Sequence, residues 1–109
     1  MVNSTERLDL VFGALSDATR RGIIAHLARH GEATIGELGE PYEMSAPAIT
    51  KHIRVLEDAG LISREIEGRI HRCRLSKTRL DEAQRWIERT RNFWEAQFDS
   101  LARHIGRTP

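Results

Sequence analysis

Residues 45–54 carry polar, small and basic side chains at spacings that a helix would collect on one side. Ile49, Ile53 and Leu56 recur at i, i+4 and i+7, so they would form a single buried stripe. His52 flanks this stripe, where it either packs against another helix or contacts DNA. Side chains opposite the stripe can hydrogen-bond bases or phosphates, touch a thymine methyl group, neutralise phosphates or read guanine. The residues expected to do this chemistry on double-stranded DNA are Ser45, Ala46, Pro47, Thr50, Lys51 and Arg54.

A second basic group follows this helix. Arg69 lies at the predicted tip of a β-hairpin, and Arg64, Arg72 and Arg74 alternate along its strands. Arg69 and Arg72 are the expected DNA contacts here, and the alternative is a solvated edge whose charge prevents strand pairing. Residues 45–79 hold eight Lys/Arg against four Asp/Glu, whereas the rest of the chain holds nine against twelve. This segregation is typical of an electrostatic footprint for a polyanion.

Five helices and one hairpin must position these residues, which predicts a mostly α fold in the order α-α-α-α-β-β-α. Asp17, Thr34 and Ser45 are suitable N-caps for the second, third and fourth helices. Two helices joined by a tight connection form a helix-turn-helix, and a hairpin with a basic tip makes it winged. The predicted helices cover about 8–15, 18–30, 35–38, 45–59 and 77–105, and the strands 61–66 and 70–75 flank a glycine turn.

The length and composition of the chain limit what surrounds this motif. Its 109 residues are expected to form one domain, 1–109, with a DNA-binding core at 8–75 and a dimerisation helix at 77–105. No apolar run approaches the roughly 18–20 residues that span a bilayer. The first ten residues lack the basic-then-apolar order of a signal peptide. We therefore expect a soluble, cytoplasmic protein without a membrane partner.

The last predicted helix carries a wide apolar face. Both tryptophans and two of the three phenylalanines lie there. Such a face requires cover from the first helix, from the same helix of a second subunit, or from its own core. A homodimer is expected, with its two reading helices roughly 34–36 Å apart on an inverted repeat. The predicted dimerisation residues are Leu8, Phe12, Trp86, Ile87, Phe93, Trp94, Phe98, Leu101 and Ile105.

Three consecutive segments resemble one known family. The run TIGELGEPYEMSAPAITKHIRVLEDAGLI, followed by SREIEGRIHRCRL, resembles the winged helix-turn-helix core of the arsenic-repressor (ArsR/SmtB) transcriptional regulators. The preceding FGALSDATRRGIIAHL resembles that family's second-helix segment, and the likeness runs from Leu8 to Leu75 without a gap. The last helix lies where the family has its dimerisation helix. The resemblance implies a homodimeric, usually repressing, DNA-binding regulator whose affinity is set by a signal.

The metal ligands of many relatives are missing here. Those relatives use a Cys-x-Cys-type pair in the short helix, or Asp-x-His with a later His-x-x-Glu/His in the last helix. Here the short helix reads IGELG, and the last helix holds DEA with only His104. His26 and His30 share one helix face and would need Glu32 or a second subunit to bind a metal; solvated histidines near a helix end are the ordinary interpretation. We expect no metal and no cofactor, and the effector is not identified.

Cys73 is the only cysteine, which excludes an internal disulfide. It is expected to be a small core residue; the alternative is a redox thiol, which would need its pKa lowered by Arg72 and Arg74. No Gly-rich phosphate loop follows a strand, and no Ser/His/Asp or Cys/His pair has a recognisable frame. Asp81 and Glu82 diverge on a helix and form no acid–base pair. No enzymatic activity is expected.

These observations predict a dimeric, sequence-specific DNA-binding regulator that represses by occupying an operator over a promoter. The alternative is a winged helix that serves as a protein-interaction module, with the aromatic last helix binding another protein. Basic charge on the reading face favours DNA. The operator sequence, the target genes and the choice between repression and activation are left open by the residues alone.

Overall fold

A computed structural model describes residues 3–106, which form five helices and a three-stranded sheet. The helices are α1 (Ser4–Leu15), α2 (Ala18–His30), α3 (Ile35–Gly39), α4 (Ala46–Asp58) and α5 (Lys77–Gly106). The strands are β1 (Glu32–Thr34), β2 (Ile62–Glu67) and β3 (Ile70–Leu75). The mostly helical fold with a hairpin wing is confirmed, and the expected domain 1–109 extends past the described residues at both ends. No helix within 3–106 is both long and apolar enough to cross a membrane.

Side-chain caps begin three helices at the residues expected from the sequence. Asp17 accepts a backbone N–H of the first turn of α2 at 3.0 Å, and the Ser45 hydroxyl accepts one from α4 at 3.3 Å. Thr34 and Glu37 form a reciprocal capping box at α3. The starting points of α2, α3 and α4 are therefore determined by local sequence.

The hydrophobic core gathers the inner sides of α1, α2, α4 and the sheet. Ile49, Ile53 and Leu56 are at most 3% exposed, so the predicted stripe of α4 is confirmed. Burial of a side chain of this size contributes about 1.5–3 kcal/mol. Because this stripe anchors α4, the opposite side of the helix is fixed in orientation and left facing out. The other large, fully buried side chains are Val11, Ile23, Leu27, Leu38, Leu61 and Cys73.

The sheet is antiparallel and has the strand order β1-β3-β2. β1 pairs with β3 through Glu32 opposite Arg74 and Thr34 opposite Arg72. Strand β1 was not predicted from the sequence, because three residues are too few to show an alternating pattern. The order along the chain is therefore α-α-β-α-α-β-β-α rather than α-α-α-α-β-β-α.

Helix α5 packs against α1 near its beginning and then extends away from the core. Phe12 and Trp86 meet edge to face with ring centroids 5.5 Å apart, and Arg7 pairs with Glu82 at 3.3 Å. Every residue from 91 to 106 is exposed. Thirty helical residues span about 45 Å. The alternative in which α5 folds back on its own core is therefore wrong.

Candidate nucleic-acid interface

The beginning of α4 presents a polar and basic face to solvent. Ala46, Pro47, Lys51 and Arg54 are exposed and Thr50 is half-buried, as the position of the buried stripe requires. The Lys51 side chain makes no hydrogen bond or ion pair with any residue in the range 3–106. The first turn is open to solvent, so the positive end of the helix dipole is available to an anion. This face can therefore approach a polyanion without breaking an existing contact of Lys51.

Two of the four hairpin arginines are held by carboxylates. Arg64 donates to Glu57 through Nη2 at 2.5 Å and Nε at 3.2 Å. These bonds lower the pKa of the Glu57 carboxyl and raise the pKa of Arg64. Arg74 pairs with Glu32 at 2.8 Å across β1 and β3. Arg64 therefore ties β2 to α4, and neither of these guanidinium groups is free for another anion.

The other two hairpin arginines, Arg69 and Arg72, have no carboxylate within ion-pair distance in the described part of the chain. Arg69 is exposed at the tip beside Gly68, whose φ of 62° lies in the left-handed region that glycine favours. Arg72 is half-buried. The pKa of Glu37 is lowered chiefly by hydrogen bonds with Thr34 and further by the charge of Arg72.

A cleft of about 830 Å³ lies between α4 and the hairpin. Ala46 and Thr50 contribute to its lining from α4, and Arg69 and Arg72 contribute from the hairpin. Four of the eight DNA-contacting residues predicted from the sequence therefore share one concave surface. The other four lie at the N-cap or along α4 but do not line the cleft: Ser45, Pro47, Lys51 and Arg54.

Comparison with known proteins assigns this arrangement to a family. Residues 15–65 match the model of a helix-turn-helix domain family. The chain is 35% identical over 77 residues to the transcriptional repressor SdpR of Bacillus subtilis (strain 168), covering 71% of this chain and 84% of that one. It matches the crystal structure of an ArsR family transcriptional regulator with a TM-score of 0.80 and 37% identity, covering 87% of this chain and 97% of that one. The chain belongs to the ArsR family of transcriptional regulators.

A further relative of this ArsR-family chain matches over nearly its whole length. The HTH-type transcriptional regulator Rv2034 of Mycobacterium tuberculosis (strain ATCC 25618 / H37Rv) is 33% identical over 97 residues, covering 89% of this chain and 87% of that one. The resemblance identified from the sequence is thereby confirmed. These homologues are transcriptional regulators and not enzymes, which agrees with the expectation of no enzymatic activity.

In this ArsR-family regulator His52 joins α4 to the other helices. Its Nδ1 lies 3.2 Å from Nη1 of Arg20 and 3.8 Å from a carboxylate oxygen of Asp17. Arg20 also donates to the carbonyl oxygens of Ala14 and Gly13, at 2.7 Å and 3.3 Å. Of the two roles left open by the sequence, His52 therefore has the packing role. Arg20 was missed because it is 32 residues away from its histidine partner.

The histidine pair of α2 has no further metal ligands arranged around it within residues 3–106. The ring centroids of His26 and His30 are 4.4 Å apart, so the two imidazoles do share one side of α2. Glu32, the acid considered as a third ligand, bonds to Arg74 instead. Across residues 3–106 no group of three or more His, Cys, Asp or Glu side chains is arranged to hold a metal ion. Two imidazoles alone are fewer than the three or four ligands that a zinc site uses.

Cys73 is fully buried in β3, so its expected core role is confirmed. Burial raises the pKa of the thiol, and the charge of Arg64 opposes this only in part. Arg72 and Arg74 lie on the other face of the strand, because successive residues alternate. The redox alternative required Arg72 and Arg74 to lower the pKa of the Cys73 thiol. The pKa of this thiol is instead raised.

Two further residues that were not predicted from the sequence shape the site. Glu57 holds the hairpin against α4 through Arg64. The sequence signal for the pair of Glu57 and Arg64 was an acid and a base seven residues apart, on either side of a predicted turn. Tyr42 fixes the turn between α3 and α4, because its hydroxyl donates to the carbonyl oxygen of Thr19 at 3.4 Å. No local pattern identifies that contact, which joins residues 23 positions apart.

Proposed function

We propose that this protein is a homodimeric repressor that binds double-stranded DNA at an inverted-repeat operator, with α4 in the major groove. The proposal rests on one observation: the beginning of α4 is polar, basic and uncovered, while its opposite stripe is at most 3% exposed. The major groove, about 12 Å wide, admits a single helix. The relative SdpR is named a transcriptional repressor, which supports repression as the outcome of binding.

The residues of α4 divide the recognition between phosphates and bases. Ser45 and the open first turn would accept a backbone phosphate. Lys51 and Arg54 would neutralise phosphates or read guanine in a bidentate manner. Thr50 would hydrogen-bond a base or a phosphate. Ala46 and Pro47 are small apolar groups suited to a thymine methyl.

The hairpin would make a second contact beside the groove that α4 enters. Arg69 lies at the exposed tip, from which it would reach the adjacent minor groove or its phosphates. Arg72 would add a phosphate contact from the cleft. Neither arginine has to leave a carboxylate within residues 3–106 to do so, whereas Arg64 and Arg74 would.

The second subunit would cover the apolar side of α5. Within one protomer, Phe12 covers part of Trp86, but the apolar side chains further along α5 are at least half exposed. We propose a DNA-binding core at 8–75 and a dimerisation helix at 77–105. A two-fold pairing would place the two α4 helices about 34–36 Å apart, which matches successive turns of one DNA face. The interface residues are Leu8, Phe12, Trp86, Ile87, Phe93, Trp94, Phe98, Leu101 and Ile105.

Selection of bound duplexes from a random DNA pool by the full chain tests this proposal. We expect an inverted repeat with half-site centres about 10–10.5 base pairs apart and two chains per duplex. A duplex with only one intact half-site is the matched control and should bind more weakly. Recovery of no sequence preference, together with no retention on heparin at low salt, would contradict DNA binding and favour the protein-interaction alternative.

A further inference from the structure

The cleft between α4 and the hairpin contains apolar side chains that contact with phosphates does not explain. Met44 is 40% exposed and Ile70 is 46% exposed, and both line the cleft. Ile35 and Tyr42 extend the apolar lining toward α3. Concave surfaces lined by apolar side chains with a few polar groups are typical of small-molecule sites. DNA-contacting surfaces are instead polar and basic.

The charges around this lining favour an anion. Arg69 and Arg72 line the cleft and have no carboxylate partner in the described part of the chain. Arg64 also lines it, but Glu57 already balances its charge. Among the residues lining the cleft, Glu40 is the only carboxylate within 3–106. Two available guanidinium groups against one carboxylate leave a net positive site.

We propose that this cleft binds an amphiphilic organic carboxylate. Its carboxylate group would pair with Arg72 and Arg69, because a planar guanidinium matches a carboxylate with two parallel hydrogen bonds. Its apolar body would lie on Met44, Ile70 and Tyr42. The volume of about 830 Å³ is within the usual range for small-molecule sites and far exceeds what a bare phosphate or acetate needs.

Occupancy of this cleft regulates DNA binding, and this step depends on the proposed function. Ala46, Thr50, Arg69 and Arg72 belong both to the cleft lining and to the proposed DNA surface. A bound carboxylate occupies the two arginines and places negative charge where DNA phosphate would lie. Ligand and DNA therefore exclude each other, and each lowers the apparent affinity of the other by the same factor.

Calorimetric titration of the DNA-free full chain with three probes tests the site itself. Octanoate has both a charge and an apolar chain, octanamide has the chain without the charge, and acetate has the charge without the chain. Octanoate should bind at least about tenfold more tightly than either of the others. Absence of octanoate binding would overturn the proposal. Equal binding of octanamide would contradict the role of the arginines, and equal binding of acetate would contradict the role of the apolar lining.

Two pairs of variants locate the binding to the cleft. Arg72→Gln and Met44→Ser should each weaken octanoate binding by about tenfold or more. Their matched controls are Arg74→Gln, since Arg74 pairs with Glu32 and does not line the cleft, and Val55→Ser, an exposed apolar residue of α4 outside it. If each variant behaves like its control, octanoate binds elsewhere and the proposal fails.

Anisotropy of labelled operator DNA tests the regulatory step separately. Octanoate should release the wild-type protein from DNA. Met44→Ser should keep its DNA affinity and lose this response, because Met44 is not part of the proposed DNA surface. Octanoate binding without any change in DNA affinity would overturn the competition while the ligand site stands. A chain that binds octanoate but no DNA would instead contradict the proposed function.

Discussion

The hydroxyl group of Tyr42 lies so close to Gly22 that it would clash with a Cβ atom at that position. Gly22 lies inside α2, and Tyr42 lies in the turn between α3 and α4. The absence of a side chain at residue 22 therefore lets this turn close onto α2, immediately before α4 begins. A glycine inside a helix costs about 0.5–1 kcal/mol relative to alanine, and here that cost accompanies a contact that positions the proposed reading helix.

Gly22→Ala should lower the free energy of unfolding by about 1–3 kcal/mol, because the added Cβ must displace Tyr42. Gly13→Ala is the matched control, since a Cβ there meets nothing within 4 Å, and it should raise stability by about 0.5–1 kcal/mol. Tyr42→Phe removes the overlapping oxygen, so Gly22→Ala should be less harmful in that background. Urea unfolding at one protein concentration measures the wild type, the three single variants and the double variant. Equal effects at residues 13 and 22 would contradict the contact.

Lys51→Ala and Arg54→Ala should weaken operator binding while leaving the fold intact, because both side chains are exposed. Loss of a base contact should cost about 1–3 kcal/mol, and loss of a phosphate contact should also reduce the slope of log K against log salt by about one. Fluorescence anisotropy over a range of salt concentrations distinguishes the two. Arg29→Ala, an exposed arginine in the last turn of α2, is the control. If Lys51→Ala and Arg54→Ala bind the operator as tightly as the Arg29→Ala control does, the assigned face is wrong.

The parts of the fold that the sequence predicted are those determined by neighbouring residues. The N-caps Asp17, Thr34 and Ser45 each bond within three residues of themselves. The buried stripe of α4 follows from helical periodicity, and the hairpin tip follows from a glycine that adopts a positive φ. Local chemistry of this kind is sufficient to locate the uncovered side of α4.

The parts that the sequence analysis missed depend on residues far apart in the chain. β1 exists because Glu32, Ala33 and Thr34 find partners on β3, about forty residues later. Which hairpin arginines form ion pairs, and which are left for DNA, likewise depends on where Glu57 and Glu32 lie after folding. The cleft forms only when α3, α4 and the hairpin assemble, so no single segment contains a signal for it.

The ion pair of Glu57 with Arg64 should make stability depend on acid pH. The hydrogen bond from Arg64 lowers the pKa of Glu57 below its ordinary value of 4.5, so this contribution is present above that pH and is lost as the pH falls through the folded-state pKa. Glu57→Gln should therefore be less stable near neutral pH and lose less stability on acidification. Urea unfolding from neutral into acid pH measures both effects.

The control for that experiment is Glu65→Gln, a neighbouring exposed carboxylate on β2 for which the structure shows no ion pair within residues 3–106. It should keep the acid dependence of the wild type. If Glu57→Gln and Glu65→Gln lose stability in parallel on acidification, the pair does not connect the hairpin to α4 energetically.

Phe98→Asp should convert the proposed dimer into monomers of 12.4 kDa. Phe98 stacks on Trp94 with ring centroids 5.6 Å apart, yet 59% of it is exposed in one protomer. A carboxylate there would be buried without a partner in a helix pair, which is strongly unfavourable. Sedimentation equilibrium measures the mass. Asn92→Asp adds the same charge on the side of α5 away from the predicted interface residues and should leave the dimer intact. A dimeric Phe98→Asp would contradict the α5 interface.

Cys73 should be unreactive in the folded protein. Its thiol is buried and its pKa is raised by that burial, so both access and thiolate fraction are low. Labelling by a disulfide reagent should therefore accelerate only when urea begins to unfold the chain. DNA affinity should be the same before and after peroxide treatment.

Cys73→Ser, which has no thiol, is the baseline, and it should lose about 1–3 kcal/mol of stability because its buried hydroxyl lacks a partner. Rapid labelling under native conditions, together with a peroxide effect that Cys73→Ser abolishes, would instead show that the strand opens and that oxidation of this thiol controls DNA binding.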